Sequence, residues 1–95
     1  MVQTPYIESD RDHVFHLYVI ETSFRQELIE YLEEREIQAL IHYPVPAHLQ
    51  EAYKYLNYNL GTLPATENAC QRILSLPMYP HLEDEQIDFV VEAIC

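Results

Sequence analysis

The run H-V-F-H-L-Y-V-I, at residues 13–20, constrains the fold more than any other stretch of the sequence. It is dense in β-branched and aromatic residues and almost continuously apolar, which is typical of a strand covered on both faces. A chain of 95 residues buries roughly 60 to 70% of its extended surface, so a single domain supplies that cover. We therefore predict a central strand here, with helices packed against its sheet.

Apolar residues at helical spacing predict the helices that cover this sheet. Ser23 and Gln26 have the form of a capping box, Asn57 can end a short helix in the left-handed conformation, and Pro64 can begin the next helix. The predicted inner faces are, in chain order, Phe24, Leu28, Tyr31 and Leu32; Leu49, Ala52, Tyr53 and Leu56; Ala65, Ala69 and Ile73; and Ile87, Val90, Val91 and Ile94.

Two shorter strands complete the prediction, one at residues 37–42 and one at residues 74–80, where Pro77 and Pro80 interrupt it. The order of strands and helices predicts an α+β fold, an α/β-type small domain in which an antiparallel or mixed sheet of about three strands packs against helices. We expect residues 13–95 to form this single domain and residues 1–12 to be a lead-in segment or a cut linker.

The segment I-H-Y-P-V-P-A-H, at residues 41–48, has the composition of a binding site. Its two prolines stiffen a loop that presents His42, Tyr43 and His48 directly after a predicted strand. The histidines, together with His81, also allow a metal site, but no cysteine or carboxylate stands at ligand spacing, so this alternative is disfavoured. His13 and His16 lie three apart on a strand and point to opposite faces, which favours a packing role.

The charge of the chain restricts its partners. Sixteen acidic residues against five Lys and Arg give a formal charge of −11, which repels nucleic acid and anionic membrane surfaces. A phosphate-bearing ligand would need cations from elsewhere. No apolar run approaches the ~20 residues that span a bilayer, and no signal peptide is recognisable at the start, so a cytoplasmic location is expected.

Several kinds of catalytic site are disfavoured by the sequence. Gly61 is the only glycine, which removes phosphate-binding loops and dinucleotide folds, and no serine stands in a G-x-S-x-G elbow. Cys70 and Cys95 are expected to be free thiols. The single lysine, Lys54, lies off the apolar stripe of its predicted helix, so we predict no catalytic residue and no metal ligand in this chain.

Five strings in order carry a resemblance to a known family: the run at 13–20, E-L-I-E-Y-L-E-E-R-E-I, I-H-Y-P-V-P-A-H-L-Q-E-A-Y, L-P-A-T-E-N-A and L-S-L-P-M-Y-P-H-L-E-D-E-Q-I. The chain resembles the C-terminal small domain of the DegT/DnrJ/EryC1/StrS sugar aminotransferases. The resemblance implies the small domain of a fold-type I enzyme that uses pyridoxal phosphate (PLP), forms a homodimer and moves an amino group from glutamate or glutamine to a nucleotide-linked keto sugar. Such sugars enter cell-surface polysaccharide, lipopolysaccharide or antibiotic biosynthesis.

The same resemblance implies that the PLP lysine lies in a large N-terminal domain absent from this chain. Alone, the chain is expected to bind no cofactor and to be inactive. The residues that it implies for the nucleotide-sugar side of the site are His42, Tyr43, Pro44, His48 and Tyr79. The alternative is a stand-alone, non-catalytic binding or interaction module with the same fold.

The sequence departs from the family pattern at three positions. Glu36 and Asn57 stand where the family commonly has glycine, and Glu21 stands where a basic residue is frequent. The first two should lie at helix ends, where asparagine replaces glycine at little cost. The third departure bears on recognition of substrate charge.

Overall fold

The computed structural model describes residues 2–95. The elements in chain order are strand β1 (Tyr18–Glu21), helix α1 (Arg25–Glu33), two 3-10 turns (Ala47–Leu49 and Glu51–Leu56), helix α2 (Pro64–Arg72), strand β2 (Ile73–Leu76) and helix α3 (Asp84–Ile94). Within these residues, every helix is too short or too polar to cross a membrane.

The two strands form a small antiparallel sheet in which Val19 lies opposite Ser75. Single bridges extend the sheet at both edges, where Gln3 pairs with Glu21 and Leu40 pairs with Ser75. The predicted α+β class with a small antiparallel sheet is confirmed. The sheet is narrower than expected, because the strand predicted at residues 37–42 is reduced to the one bridge at Leu40.

The core is a cluster of four almost completely buried side chains, Ile20, Leu32, Ile37 and Leu74. Helix α3 packs on this cluster through Val90, Ala93 and Ile94. The predicted inner face of α3 is therefore only half right, since Ile87 and Val91 are exposed. A sheet only two strands wide covers one narrow row of the helix and leaves the flanking apolar residues uncovered.

The first strand begins later than predicted. Residues 13–17 lie outside β1 because Phe15 adopts a left-handed backbone with φ of 48°. The Phe15 N–H donates to Nδ1 of His13 over 2.8 Å, and the two rings lie 4.4 Å apart. These local contacts turn the chain away from the sheet and leave Val14 92% exposed. Only Tyr18, Val19 and Ile20 of the predicted run are in the strand.

Three predictions about the helices are wrong in detail. Helix α1 has no side-chain cap at Ser23; instead Oγ1 of Thr22 accepts a hydrogen bond from the N–H of Phe24. The capping box of the protein is at α3, between Glu83 and Gln86. The predicted helix before Asn57 consists of 3-10 turns. Residues predicted to face inward but found exposed are Phe24, Tyr31, Ala52, Tyr53, Leu56 and Ala65.

Both positions where glycine was expected from the family pattern have the backbone that glycine favours. Glu36 has φ of 58°, just after α1, and Asn57 has φ of 56° at the end of its 3-10 turn. Asparagine tolerates the left-handed region, whereas glutamate meets a steric cost there. The chain therefore carries strain at Glu36 and little at Asn57.

We expect Glu36→Gly to raise the free energy of unfolding by about 0.5 to 1 kcal/mol, because it removes that steric cost. Glu34→Gly is the matched control, since Glu34 lies two residues earlier in the right-handed helical region. It should lower stability by a similar amount through lost helix propensity. Urea unfolding of both variants measures the difference, and a destabilised Glu36→Gly variant would contradict the assignment of strain.

Candidate functional site

A cavity of about 580 Å³ opens between the Leu40 edge of the sheet, residues 77–82 and α3. Most of its wall is apolar, formed by Leu17, Ile37, Leu40, Leu76, Pro77, Met78, Leu82, Phe89 and Val90. His42, Ser75 and Tyr79 supply polar atoms to the same wall, as do two glutamines. The cavity thus has the character of a small-molecule site, a mostly apolar concavity with a few polar groups.

His42 is held in this wall by a hydrogen bond. Its Nδ1 lies 2.9 Å from Oγ of Ser75, and the Ser75 side chain belongs to a residue that is only 4% exposed. Ser75 is itself fixed, because its backbone exchanges two hydrogen bonds with Leu40 at 3.0 and 2.7 Å. The sheet edge therefore sets the orientation of the imidazole, whose Nε2 atom makes no hydrogen bond to residues 2–95.

The cavity brings together two of the five predicted site residues, His42 and Tyr79. Tyr43 is 66% exposed and contacts the His42 ring edge-on, with ring centroids 5.5 Å apart, but it does not line the cavity. Pro44 is exposed beside it. His48 is buried and lies elsewhere. The five predicted residues thus lie in three environments, and only His42 and Tyr79 share the cavity.

The charges around the cavity decide which part of a ligand fits it. Glu36 and Glu85 line it, and no lysine or arginine is found among its lining residues within 2–95. Carboxylates repel a phosphate, and a phosphate needs cationic or N–H donors. The cavity therefore suits a neutral, hydroxyl-bearing group.

His48 is joined to Glu67 in a second, buried cluster. Nε2 of His48 lies 2.9 Å from Oε1 of Glu67. The same carboxylate accepts hydrogen bonds from the N–H of Gly61 at 2.8 Å and of Leu63 at 3.1 Å. The ring of Tyr58 meets His48 edge-on at 6.0 Å. One carboxylate thus ties the loop to the start of α2.

These contacts favour the ionised form of Glu67. The hydrogen bond with His48 is the largest influence that lowers the pKa of Glu67, and the Gly61 N–H lowers this pKa further, against the opposing effect of burial. Because an ionised carboxylate only accepts, Nε2 of His48 is the donor of the pair.

Sequence reasoning missed Glu67. It placed Ala65 and Ala69 on the inner face of α2, whereas Glu67 and Cys70 are the buried residues of this helix. A signal was present, since Glu67 lies in the first turn of a helix that begins with Pro64, where a carboxylate is favoured by the helix dipole and by free N–H groups. The pairing of Glu67 with His48 could not be predicted from neighbouring residues, because the two lie nineteen residues apart in sequence.

The arrangement of the histidines disfavours the metal alternative. His42 and His48 have different partners, Ser75 and Glu67, and His81 is exposed. Within residues 2–95 no three His, Cys, Asp or Glu side chains are placed to hold a metal ion.

The residues present do not fit PLP. Lys54, the only lysine, has a side chain that is 70% exposed and is paired with Glu51, outside any cavity. A Schiff-base lysine needs a pocket that lowers its pKa and holds its ring. Lys54 therefore lacks the surroundings of a Schiff-base lysine.

The sequence profile of the DegT/DnrJ/EryC1/StrS aminotransferase family matches residues 1–95. The chain belongs to this family. The motif resemblance to its C-terminal small domain is thereby confirmed.

Relatives within the DegT/DnrJ/EryC1/StrS family are considerably longer. The chain is 45% identical over 94 residues to a pleiotropic regulatory protein of Geobacillus stearothermophilus, covering 99% of this chain and 25% of the relative. It is 42% identical over 90 residues to the dTDP-3-amino-3,4,6-trideoxy-α-D-glucose transaminase of Streptomyces venezuelae, covering 95% of this chain and 24% of that enzyme. The chain therefore spans about a quarter of the length of the relatives it matches.

A solved structure has the same fold in about a quarter of its length. The crystal structure of S. venezuelae DesV in complex with a ketimine intermediate superposes with a TM-score of 0.92 and 41% identity, covering 98% of this chain and 25% of DesV. The fold of this DegT/DnrJ/EryC1/StrS chain is thus the fold of one part of a sugar aminotransferase.

Proposed function

We propose that this chain is the substrate-side small domain of a PLP-dependent aminotransferase that acts on a nucleotide-linked keto sugar. Family membership and the S. venezuelae dTDP-sugar transaminase support this proposal. The observation that carries it is the cavity that is lined by both Tyr79 and His42, the latter held by Ser75. We propose glutamate or glutamine as the amino donor, and residues 13–95 as the domain.

The polar atoms of the cavity are suited to orienting a sugar. Nε2 of His42 and the hydroxyl of Tyr79 can each hydrogen-bond a sugar hydroxyl or carbonyl oxygen, since both lie in the same wall. The apolar wall excludes water from the ring face of the sugar. Tyr43 and Pro44 would border the open side of this site, where they are exposed. His48 would act through Glu67, by fixing the loop that carries the other residues.

The remaining parts of the catalytic site are assigned to the rest of the enzyme. The cations for the nucleotide phosphates, the PLP lysine and the aspartate that pairs with the pyridine nitrogen belong to the large N-terminal domain in this proposal. The complete enzyme would act as a homodimer, and this chain alone would be inactive. Glu36 and Glu85, which line the cavity, and the exposed position of Lys54 support this division.

Transfer of this chain into a relative tests the proposal. In a hybrid protein, residues 1–95 replace the matching quarter of the S. venezuelae dTDP-3-amino-3,4,6-trideoxy-α-D-glucose transaminase. We expect amino transfer from glutamate to a dTDP-linked keto sugar. His42→Ala and Tyr79→Phe should each raise KM about tenfold, because each removes a hydrogen bond of about 1 to 1.5 kcal/mol.

Matched controls separate binding from folding. His13→Ala and Tyr31→Phe change the same side-chain types outside the cavity and should leave KM unchanged. A folded hybrid without amino transfer would count against the proposed activity. Unchanged KM values in both cavity variants would count against the assigned residues.

A further inference from the structure

Every residue from Gln50 to Leu63 is exposed. Six of these side chains are large and apolar: Tyr53, Tyr55, Leu56, Tyr58, Leu60 and Leu63. Tyr55 and Leu60 are 72% and 78% exposed. Isolated exposed apolar residues are ordinary, but six within fourteen consecutive positions mark an interaction surface.

We call residues 50–63 the tyrosine segment. Polar contacts, and not apolar packing, hold its backbone in place. The Tyr53 N–H donates to the carbonyl of Gln50, and Asn57 ends the second 3-10 turn in the left-handed conformation. Oγ1 of Thr62 bonds to Asn59 at 2.6 Å. At its end, the N–H groups of Gly61 and Leu63 are held by Glu67. These contacts therefore fix the backbone of the tyrosine segment and leave its side chains exposed.

Charge distinguishes the tyrosine segment from the exposed apolar residues of α1 and α3. Its only charged residues, Glu51 and Lys54, pair with each other, so the segment is neutral within a chain of net charge −11. The exposed apolar residues of α1 and α3 are interleaved with acids: Glu27, Glu30 and Glu33 on α1, and Asp84, Glu85, Asp88 and Glu92 on α3. Interface centres are enriched in tyrosine and depleted of charge, and the tyrosine segment has both properties.

We propose that the tyrosine segment is the surface on which the remaining three quarters of the aminotransferase fold docks. The occupant is identified by length, because relatives that match the whole chain are about four times longer and their additional residues have to contact this part somewhere. The inference rests on family membership and on exposure, so it does not depend on the proposed substrate. The carboxylate of Glu67 holds the C-terminal end of the tyrosine segment in place before the two parts associate.

A hybrid with the G. stearothermophilus relative tests this surface through stability alone. Residues 1–95 replace the matching quarter of the relative, and the double variant Tyr55→Ser/Leu60→Ser is compared with the parent hybrid. We expect its Tm to fall by at least about 5 °C, because two large side chains lose their cover. In the 95-residue chain the same variant should shift Tm by less than about 2 °C, since both side chains are exposed there.

The matched control is Phe24→Ser/Val91→Ser, which removes two exposed apolar side chains from α1 and α3. It should change the Tm of the hybrid less than the tyrosine-segment variant does. A hybrid that melts at the same temperature with and without Tyr55 and Leu60 would overturn the proposal. So would a larger effect of the control pair.

A second measurement needs only the 95-residue chain. Hydroxyl-radical footprinting at low and high protein concentration reports whether Tyr55 and Leu60 are covered by another copy. We expect both to stay reactive at all concentrations. Protection of both residues in a discrete dimer, detected by sedimentation and abolished by the double variant, would assign the surface to a second copy and overturn the proposal.

Discussion

Replacing Leu74 with alanine should lower the free energy of unfolding by about 3 kcal/mol, the largest effect expected from a single substitution in this chain. Leu74 lies in β2, is completely buried and packs with Ile20, Leu32 and Ile37. The cluster consists of these four almost completely buried apolar side chains, so neighbours cannot easily move to fill the cavity left behind. A domain of this size has roughly 5 to 14 kcal/mol of stability, and losing 3 kcal/mol removes a large share.

Urea unfolding followed by far-ultraviolet circular dichroism measures this loss. Leu60→Ala is the control, because it removes the same atoms from a side chain that is 78% exposed. It should change stability by less than about 0.5 kcal/mol. A Leu74→Ala variant that loses under about 1 kcal/mol would show that the four-residue cluster is not the centre of the core.

Glu67→Gln should lower Tm at neutral pH by about 5 °C or more, although it changes only one atom of the side chain. Both carboxylate oxygens of Glu67 accept N–H donors, Oε1 from His48 and Leu63 and Oε2 from Gly61. In either orientation of the amide, its NH₂ group faces a donor. An N–H group of His48, Gly61 or Leu63 therefore loses its acceptor.

The difference between wild type and Glu67→Gln should also depend on pH. The pKa of Glu67 is lowered in the folded chain, so its contribution to stability is present above the unfolded value of about 4.3 and is lost as pH falls through the folded pKa. The two Tm values should differ fully above about pH 5 and converge below about pH 4.

Thermal unfolding between pH 3 and pH 7, at roughly unit steps across the window in which Glu67 titrates, provides the measurement. Glu92→Gln makes the same chemical change on α3, at an exposed position, and should follow the wild-type profile at every pH. A constant gap between wild type and Glu67→Gln down to the lowest pH would contradict the assigned role of the carboxylate.

Several features of the fold follow from local sequence alone. The left-handed Asn57 and the inward position of Val90 and Ile94 on α3 are properties of a few neighbouring residues, and the structure has both. His42 and Tyr79, which the family motifs single out, line the same cavity, and their binding role stays a prediction. Spacing and backbone preference were sufficient where neighbours in sequence decide the conformation.

Other features depend on residues far apart in sequence. The strand predicted at residues 37–42 forms only one bridge, between Leu40 and Ser75 of β2. Residues 13–17 have strand composition, yet the contact between His13 and Phe15 turns them away from the sheet. The buried pair of His48 and Glu67 was missed for the same reason, since a glutamate in a first helical turn is ordinarily exposed.

Successive side chains of β2 point to opposite faces of the sheet. Leu74 points into the core, and its neighbour Ser75 lies on the cavity side, where it holds His42. A slip of one residue in strand pairing would exchange them, placing a hydroxyl in the core and an isobutyl group against the imidazole. Correct assembly of the hydrophobic centre and correct presentation of His42 are thus a single folding event, and a misregistered chain would lose both together.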